Sequence, residues 1–316
     1  MRSIGIVVYP GFQIMGLSVG TVFEYTNITA EKPLYDISLV SENGGPVMTS
    51  TGFAIDTLKI DKRTFDTLIV VGDPFIKPAS PGIVEYLRSA ITTTRRIAGV
   101  CTGAFVLAEA GLLDGRRATT HWYFARALEK AYPRVKMEED RIFIVDGPIW
   151  TSAGMSAGVD LALALVEKDH GIEMSRIVAK KLVLYHRRGG GQSQFSVMLE
   201  LEPKSDRVQT ALAYAKENLH SELSVEELAG AAHLSPRQFS RVFRSETGQS
   251  PAKAVERLRV ESARLMMEDG RHSIDVVARD TGFGDRERMR RAFVRAFGQP
   301  PQAIVRANRT QTALSA

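Results

Sequence analysis

Residues 228–251 read LAGAAHLSPRQFSRVFRSETGQSP, and residues 277–301 read VARDTGFGDRERMRRAFVRAFGQPP. The two stretches form an internal repeat in which, for example, Gly248 aligns with Gly298. The offset is 49 residues before the central turn and 50 after it, so the second copy carries one inserted residue. Each copy predicts a short apolar helix, a tight turn and a second helix with arginine on its outer face. That is the outline of a helix-turn-helix, and two of them predict contact with two successive stretches of major groove.

The second helix of each copy is amphipathic, so its two faces have different expected roles. The apolar positions are expected to be buried: Phe239, Val242, Phe243, Met289, Ala292, Phe293 and Ala296. The polar positions are the expected DNA contacts: Ser235, Arg237, Gln238, Ser240, Arg241, Arg244, Arg286, Arg288, Arg290, Arg291 and Arg295. Arginine recognises guanine edges or phosphates, glutamine pairs with adenine, and serine contacts either. Arg241 and Arg291 occupy equivalent repeat positions, where a phosphate clamp and a helix-packing ion pair are both open interpretations.

The positive charge of the chain is concentrated towards its C-terminus. The net charge is +5, and residues 206–316 carry 18 Lys and Arg against 14 Asp and Glu. Residues 284–309 alone hold seven arginines and two acids. Such a local excess favours a polyanionic partner, and we expect double-stranded DNA.

Cysteine content and hydropathy indicate a cytoplasmic protein. Cys101 is the only cysteine, so no intramolecular disulfide can form. No run of 18 or more apolar residues occurs, which predicts no membrane span. We also expect no cofactor and no metal.

The first part of the chain alternates between strand and helix patterns. Strands are predicted at 4–9, 35–41, 65–72, 96–100, 142–145 and 149–152. Helices are predicted at 18–29, 81–93, 102–110, 122–132, 156–170 and 173–185. This alternation predicts a doubly wound α/β sandwich, followed by an all-α part that contains the repeats.

The polar, glycine-rich stretch that follows predicts a domain boundary. We expect a first domain over 1–188, a linker over 189–205, a DNA-binding domain over 206–309 and a tail over 310–316.

The sequence Gly99-Val100-Cys101-Thr102-Gly103 follows a buried strand and opens a helix. It is the cysteine version of a nucleophile elbow. The helix N-terminus predicts a partly exposed thiol with a lowered pKa and a cradle for an anion. His121 is the natural candidate base, while a buried structural cysteine is the alternative interpretation.

Residues 206–309 resemble the DNA-binding domain of the AraC/XylS family. The resemblance rests on Leu234-Ser235-Pro236 and Gly248-x-Ser250-Pro251, which recur as Gly282-Phe283-Gly284 and Phe297-Gly298-Gln299-Pro300-Pro301. It implies two helix-turn-helix units joined by a long helix, expected over 253–267. Met289-Arg290 departs from the family pattern of an aromatic followed by a small polar residue.

Residues 1–186 resemble the PfpI-type, class I glutamine amidotransferase-like superfamily, which has a flavodoxin-like fold. The matching segments are 8–12, 65–72, 101–105 and 111–122. Enzymes of this superfamily place an acid after the first strand, where this chain has Gly16. The resemblance therefore implies a degenerate, non-catalytic domain.

The combination of both domains resembles the GlxA-type transcriptional regulators. It implies that the first domain senses a small metabolite, expected to contain nitrogen, and forms a homodimer. RNA polymerase is a candidate partner. In open α/β sheets the ligand site lies at the carboxyl ends of the strands, so the expected ligand residues are Cys101, Thr102, Gly103, His121, Gly72 and Asp73. Two alternatives remain: a cysteine-dependent hydrolase or hydratase tethered to the DNA-binding domain, and a constitutive DNA-binding protein whose first domain only dimerises.

Overall fold

The computed structural model describes residues 1–61, 63–184, 197, 201, 203–268 and 272–303. The chain divides into two compact units, Met1–Gln194 and Phe195–Ala316. Most of the predicted linker and the whole of the predicted tail lie outside the described residues.

The first unit is built around an eight-stranded sheet. Its strands are β1 (Arg2–Val7), β2 (Tyr35–Ser41), β3 (Gly45–Met48), β4 (Ala54–Lys59), β5 (Thr67–Val70), β6 (Arg96–Val100), β9 (Phe143–Asp146) and β10 (Ile149–Ser152). Their order is β3-β4-β2-β1-β5-β6-β10-β9, and all neighbours are parallel except the two edge pairs β3–β4 and β9–β10. A separate parallel pair joins β7 (Arg117–Ala118) to β8 (Lys136–Met137).

Helices cover both faces of the large sheet, as the alternating pattern predicts. They are α1 (Ser18–Ala30), α2 (Pro81–Ala90), α3 (Gly103–Glu109), α4 (Trp122–Ala131), α5 (Met155–His170) and α6 (Ile172–Lys181), with a 3-10 turn at Ile14–Leu17. One buried core contains Phe23 of α1 and Leu161 of α5, and the other contains Leu87 of α2 and Leu107 of α3. The predicted doubly wound sandwich is confirmed.

The β3–β4 hairpin was not predicted from the sequence. Strand β3 forms the sheet edge and β4 lies next to it; Gly45 and Pro46 of β3 are exposed and only Val47 of β3 is buried. Edge strands with so few buried positions lack the continuous apolar run that marks the central strands.

The second unit consists of helices packed in two groups. The helices are α7 (Asp206–Glu217), α8 (Val225–Ala231), α9 (Pro236–Thr247), α10 (Pro251–Glu268), α11 (Ile274–Asp280) and α12 (Arg286–Phe297). The long helix α10 contributes Leu258 to a core around Phe239, and Ala263 to a second core around Phe293. It therefore joins the two repeats, as the resemblance implies.

Serine side chains begin the helices of the first repeat. A capping box of Ser235 and Gln238 begins α9, with Pro236 as the first helical residue. At α8 only half of such a box forms. Ser224 accepts from the Glu227 amide, but the Glu227 carboxylate accepts from the Tyr214 hydroxyl (2.9 Å) instead of reaching back to the cap.

Candidate functional sites

The two repeats share the same turn. The Leu234 amide donates to the Ala229 carbonyl and the Phe283 amide donates to the Ala278 carbonyl, both at 2.9 Å. The following caps are Ser235 for α9 and Asp285 for α12, so the inserted residue of the second copy is Gly284. Its φ of +78° is a conformation that glycine adopts without strain.

Helix α9 presents the polar face that the sequence predicts. Phe239 and Phe243 are fully buried with their ring centroids 5.4 Å apart. Five of the expected DNA-contact residues of this repeat are exposed, namely Ser235, Arg237, Gln238, Arg241 and Arg244, while Ser240 is half-buried. The hydroxyl of Ser235 is engaged in the cap, where it accepts from the backbone amide of Gln238 and donates to the side-chain oxygen Oε1 of Gln238.

Helix α12 presents five exposed arginines. Met289, Ala292 and Phe293 are buried as predicted, and the exposed residues are Arg286, Arg288, Arg290, Arg291 and Arg295. The prediction that Ala296 is buried is wrong. At the end of the helix it is Phe297 that packs against the core, with the Arg264 guanidinium 4.9 Å from its ring centroid.

A cleft of about 320 Å³ lies between α10 and α12 and is lined mainly by charged side chains. Glu256, Arg288, Arg291 and Arg295 line it together with Arg259. The guanidinium of Arg259 is occupied by hydrogen bonds within the protein, because it donates to the carbonyls of Leu219, Ser221 and Glu222. Burial lowers the pKa of Arg259. The cleft thus adds to the cationic surface of the second repeat.

In the first unit, the elbow brings four of the predicted ligand residues together at the ends of β5 and β6. The Thr102 hydroxyl accepts from the Asp73 amide (2.8 Å) and donates to the Asp73 carbonyl (2.7 Å). A Cβ on Gly72 would lie 2.6 Å from Thr102 Oγ1, and one on Gly103 would lie 2.3 Å from the Val70 carbonyl. These contacts lock the two strand ends together and leave Gly72, Asp73, Thr102 and Gly103 buried.

The prediction of a partly exposed, low-pKa thiol is wrong. Cys101 has the elbow conformation, with φ of +56°, but only 4% of its surface is exposed and it packs in the core around Val100. Burial raises the pKa of the Cys101 thiol to about 11, although hydrogen bonds from Thr102 act in the opposite direction. Desolvation of the thiolate therefore outweighs the helix N-terminus.

His121 lies at the start of α4 and caps it. Its Nδ1 accepts from the Tyr123 amide (3.3 Å), and its ring packs so close to Gly154 that a Cβ there would lie 2.9 Å from His121 Cδ2. Burial lowers the pKa of His121, so the imidazole is neutral at pH 7. Within the described residues, no hydrogen bond joins His121 to Cys101.

Gly16, at the expected acid position, is buried against β5. A Cβ on Gly16 would lie 2.9 Å from Val71 Cβ, so an acidic side chain at this position requires Val71 to move.

A cavity of about 400 Å³ opens at the carboxyl ends of β1 and β2, beside the start of α2. Its polar lining is Tyr9, Glu42, Asn43, Lys77 and Ser80, and its apolar lining includes Val8, Val47 and Ile83. Lys77 forms an ion pair with the buried carboxylate of Asp73 (3.1 Å). The half-buried Glu42 carboxylate makes no hydrogen bond or ion pair in the described part of the chain.

The cavity adjoins the elbow without being lined by it. Burial raises the pKa of the Tyr9 hydroxyl, and the nearby Asp73 and Cys101 raise it further. None of the predicted ligand residues lines the cavity, but Asp73 forms an ion pair with Lys77, which does. Sequence reasoning missed Tyr9, Glu42 and Lys77, although the first two directly follow the strand ends where open sheets bind ligands.

No group of three or more His, Cys, Asp or Glu side chains in the described ranges is arranged to hold a metal. None of the helices described is long and apolar enough to cross a membrane.

Comparison with known proteins assigns both units. The DJ-1/PfpI family model matches residues 22–168, and a helix-turn-helix domain model matches residues 228–307. The HTH-type transcriptional regulator CdhR of Pseudomonas aeruginosa is 30% identical over 297 residues, covering 92% of this chain and 88% of that protein. The HTH-type transcriptional regulator GlxA of Rhizobium meliloti is 29% identical and covers 97% of this chain and 96% of that protein.

The first unit also has relatives of its own. The isonitrile hydratase of Pseudomonas putida is 31% identical over 186 residues, covering 57% of this chain and 77% of the enzyme. A crystal structure of an AraC family transcriptional regulator from Pseudomonas putida covers 58% of this chain and 100% of its own chain, with a TM-score of 0.53 and 19% identity. This last likeness concerns the fold alone.

The fold, the two turns and the two exposed arginine-bearing helices define a DNA-binding transcriptional regulator with a DJ-1/PfpI domain. The chain belongs to the family of HTH-type transcriptional regulators of the GlxA type, in which this domain precedes an AraC-type helix-turn-helix domain.

Proposed function

We propose that the chain is a cytoplasmic, ligand-responsive regulator that binds operator DNA through both helix-turn-helix units. The polar faces of α9 and α12 supply the DNA contacts, and the first domain holds a small-molecule effector. The observation that carries the sensing proposal is the cavity beside Tyr9. It lies at the carboxyl ends of parallel strands and combines apolar walls with the Glu42 carboxylate, which has no partner in the part of the chain that the structure describes.

The charges of the cavity favour a nitrogen-containing effector. Lys77 is neutralised by Asp73, so among the described residues that line the cavity the carboxylate of Glu42 is the group left without a counter-ion. A cationic nitrogen at Glu42 satisfies that carboxylate, and the surrounding Val47 and Ile83 contact the apolar part of the molecule. Asp73 acts by holding Lys77. Cys101, Thr102 and Gly103 do not touch the effector in this proposal; they support the cavity by holding the strand ends together. His121 likewise has an indirect role, by fixing the start of α4.

We infer that the first domain does not catalyse a reaction. The similarity to isonitrile hydratase favours the alternative of a tethered hydratase or hydrolase. Against it stand the buried Cys101 thiol with its raised pKa, the neutral His121 that caps its own helix, and Gly16 packed on Val71. A nucleophilic cysteine needs a thiolate and a positioned base.

The proposal also includes two protein partners. We propose that the first domain forms a homodimer and that the DNA-bound regulator contacts RNA polymerase. Effector binding then changes DNA affinity through the coupling of two sites.

The test is a thermal-shift screen of the full chain against amino acids, amines and related nitrogen metabolites. A ligand that binds only the folded state raises the unfolding temperature. For each hit, Glu42→Gln is expected to abolish the shift, while Glu85→Gln, an exposed charge on the neighbouring helix α2, retains it. Hits whose shifts survive Glu42→Gln would place the effector elsewhere. A hit that is also turned over, with loss of turnover in Cys101→Ser, would establish the enzyme alternative.

A further inference from the structure

The arginines of the two DNA-contact helices differ in their partners. On α9, Arg237, Arg241 and Arg244 are exposed, and none of them makes a side-chain hydrogen bond or ion pair with a described residue. On α12 every arginine faces a carboxylate: Arg286 pairs with Asp275, Arg288 with Asp285, Arg290 and Arg291 with Glu287, and Arg295 with Glu256. The first helix is therefore free to bind an anion, whereas the five arginines of the second share four carboxylates, which offset most of their charge.

Glu287 is the acid with two arginine partners. It lies in the first turn of α12, where a negative charge is favourable, and its partners follow at the helical spacings of three and four residues. Arg290 Nε donates to Glu287 Oε2 (2.7 Å) and Arg290 Nη2 donates to Oε1 (2.8 Å). Arg291 Nε donates to the same Oε1 (3.1 Å).

The arrangement imitates the way arginine binds a phosphate. A carboxylate and a phosphate both accept the parallel N–H groups of a guanidinium. These hydrogen bonds lower the pKa of Glu287 to about 2, so the carboxylate is charged at neutral pH.

We propose that Glu287 is an internal competitor for DNA phosphates, which holds Arg290 and Arg291 until the second helix-turn-helix unit is correctly seated. The proposal rests on the assignment of α12 as a DNA-contact helix. The competition lowers affinity for every sequence by about the same factor, so it shortens occupancy of non-specific DNA, where phosphate contacts supply essentially all the affinity. At the operator, base contacts made by α9 and α12 offset the loss.

The experiment measures binding of the full chain to a random-sequence duplex over a salt series. We expect Glu287→Gln, which keeps the size of the side chain, to bind this DNA about three- to tenfold more tightly at low salt. The slope of log affinity against log salt should steepen by about one unit. The control is Glu217→Gln, which removes an equal charge from an exposed position on α7 and should change affinity much less.

A second comparison separates release of the arginines from the simple loss of a negative charge. In a chain that already carries Arg290→Ala and Arg291→Ala, the effect of Glu287→Gln should disappear. An undiminished gain in that background overturns the proposal. Weaker binding of Glu287→Gln, confined to one base pair of a selected operator, also overturns it and makes Glu287 a reader of cytosine. If removing both arginines leaves DNA binding unchanged, the assignment of α12 as a contact helix fails instead.

Discussion

His233 and Gly282 occupy the same position in the two helix-turn-helix units and adopt the same left-handed conformation, with φ of +54° and +76°. The backbone of the turn is therefore common to both repeats although the residue differs. Gly282 is also enclosed, because a Cβ there would lie 1.9 Å from the Leu219 carbonyl oxygen and 2.7 Å from Arg259 Nε. Both turns use left-handed backbone, but only the second also excludes a side chain.

The two positions should respond differently to substitution. Gly282→Ala is expected to lower the free energy of unfolding by about 2–4 kcal/mol, because it adds backbone strain and pushes the α11–α12 turn away from the Leu219 carbonyl and the Arg259 side chain. His233→Gly should change it by no more than about 1 kcal/mol, since relief of strain offsets the greater freedom of the unfolded chain. Urea denaturation of the two variants measures both. Equal effects would show that the enclosure of Gly282 is unimportant.

A buried carboxylate, that of Asp169, stabilises the end of the first domain opposite the candidate effector cavity. The side chain of Asp169 is fully buried and accepts from Arg96 Nη2 (2.6 Å), Arg95 Nη1 (3.0 Å) and the Tyr35 hydroxyl (2.9 Å). Burial alone would raise the pKa of Asp169, but these hydrogen bonds and the arginine charges outweigh it and the pKa lies below its usual range. The stability from this group is therefore present above about pH 4 and lost as the pH falls further.

Asp169→Asn should lower the free energy of unfolding at neutral pH by about 3 kcal/mol, because the buried Arg96 loses its short ion pair and keeps the longer one with Asp66 (3.5 Å). The variant should also lose less stability than the parent between about pH 4 and pH 2. The control is Asp66→Asn. The Asp66 side chain is 24% exposed, so this substitution should lower the free energy of unfolding by less. Equal costs for the two variants would contradict the role given to Asp169.

The buried thiol predicts a pH dependence at the alkaline end. The pKa of Cys101 in the folded chain is about 11, against 9.0 for a free thiol. The folded state holds this proton more tightly than the unfolded state, so stability is lost as the pH rises from about 9 to about 11. Between about pH 9 and pH 11 the Cys101→Ala variant should lose less stability than the parent protein, and the difference should reach up to about 3 kcal/mol. Iodoacetamide should modify the native thiol far more slowly than the unfolded one, and equal rates would refute the burial of Cys101.

Equivalent arginines of the two repeats should differ in their contribution to DNA binding. If Arg241 is a phosphate clamp, Arg241→Ala weakens binding to all sequences and flattens the salt dependence by about one unit. Arg291→Ala should act in the same direction but less strongly, because Glu287 already holds that side chain. Arg237→Ala, as the loss of a base contact, should cost about 1–3 kcal/mol at one base pair. An unchanged salt slope for both variants would refute the assignment of these two arginines as phosphate clamps.

The sequence predicts the helix-turn-helix units well because their signals are local. The cap at Ser235 and the apolar spacing of Phe239 and Phe243 depend on residues within one helix. Ala296 was misassigned because periodicity extends to the end of a helix, whereas burial there depends on which side chain meets α10.

The candidate effector site was less predictable because it depends on tertiary packing. The elbow motif correctly placed Cys101 at a strand-to-helix turn, but the burial of its thiol depends on the surrounding core. Glu42 and Lys77 lie 35 positions apart and meet only because β2 and the start of α2 reach the same end of the sheet. No short-range pattern joins them.

The central claim is that both helix-turn-helix units contact DNA together, and it is tested most directly by selecting operators for the full chain from a random DNA pool. The rigid connector α10 predicts two specified segments about 10 base pairs apart, on one face of the duplex. Inserting about five base pairs between them turns the second segment to the opposite face, and binding should weaken at least tenfold. Retention of tight binding after that insertion would mean that only one unit contacts DNA, and the account would be contradicted.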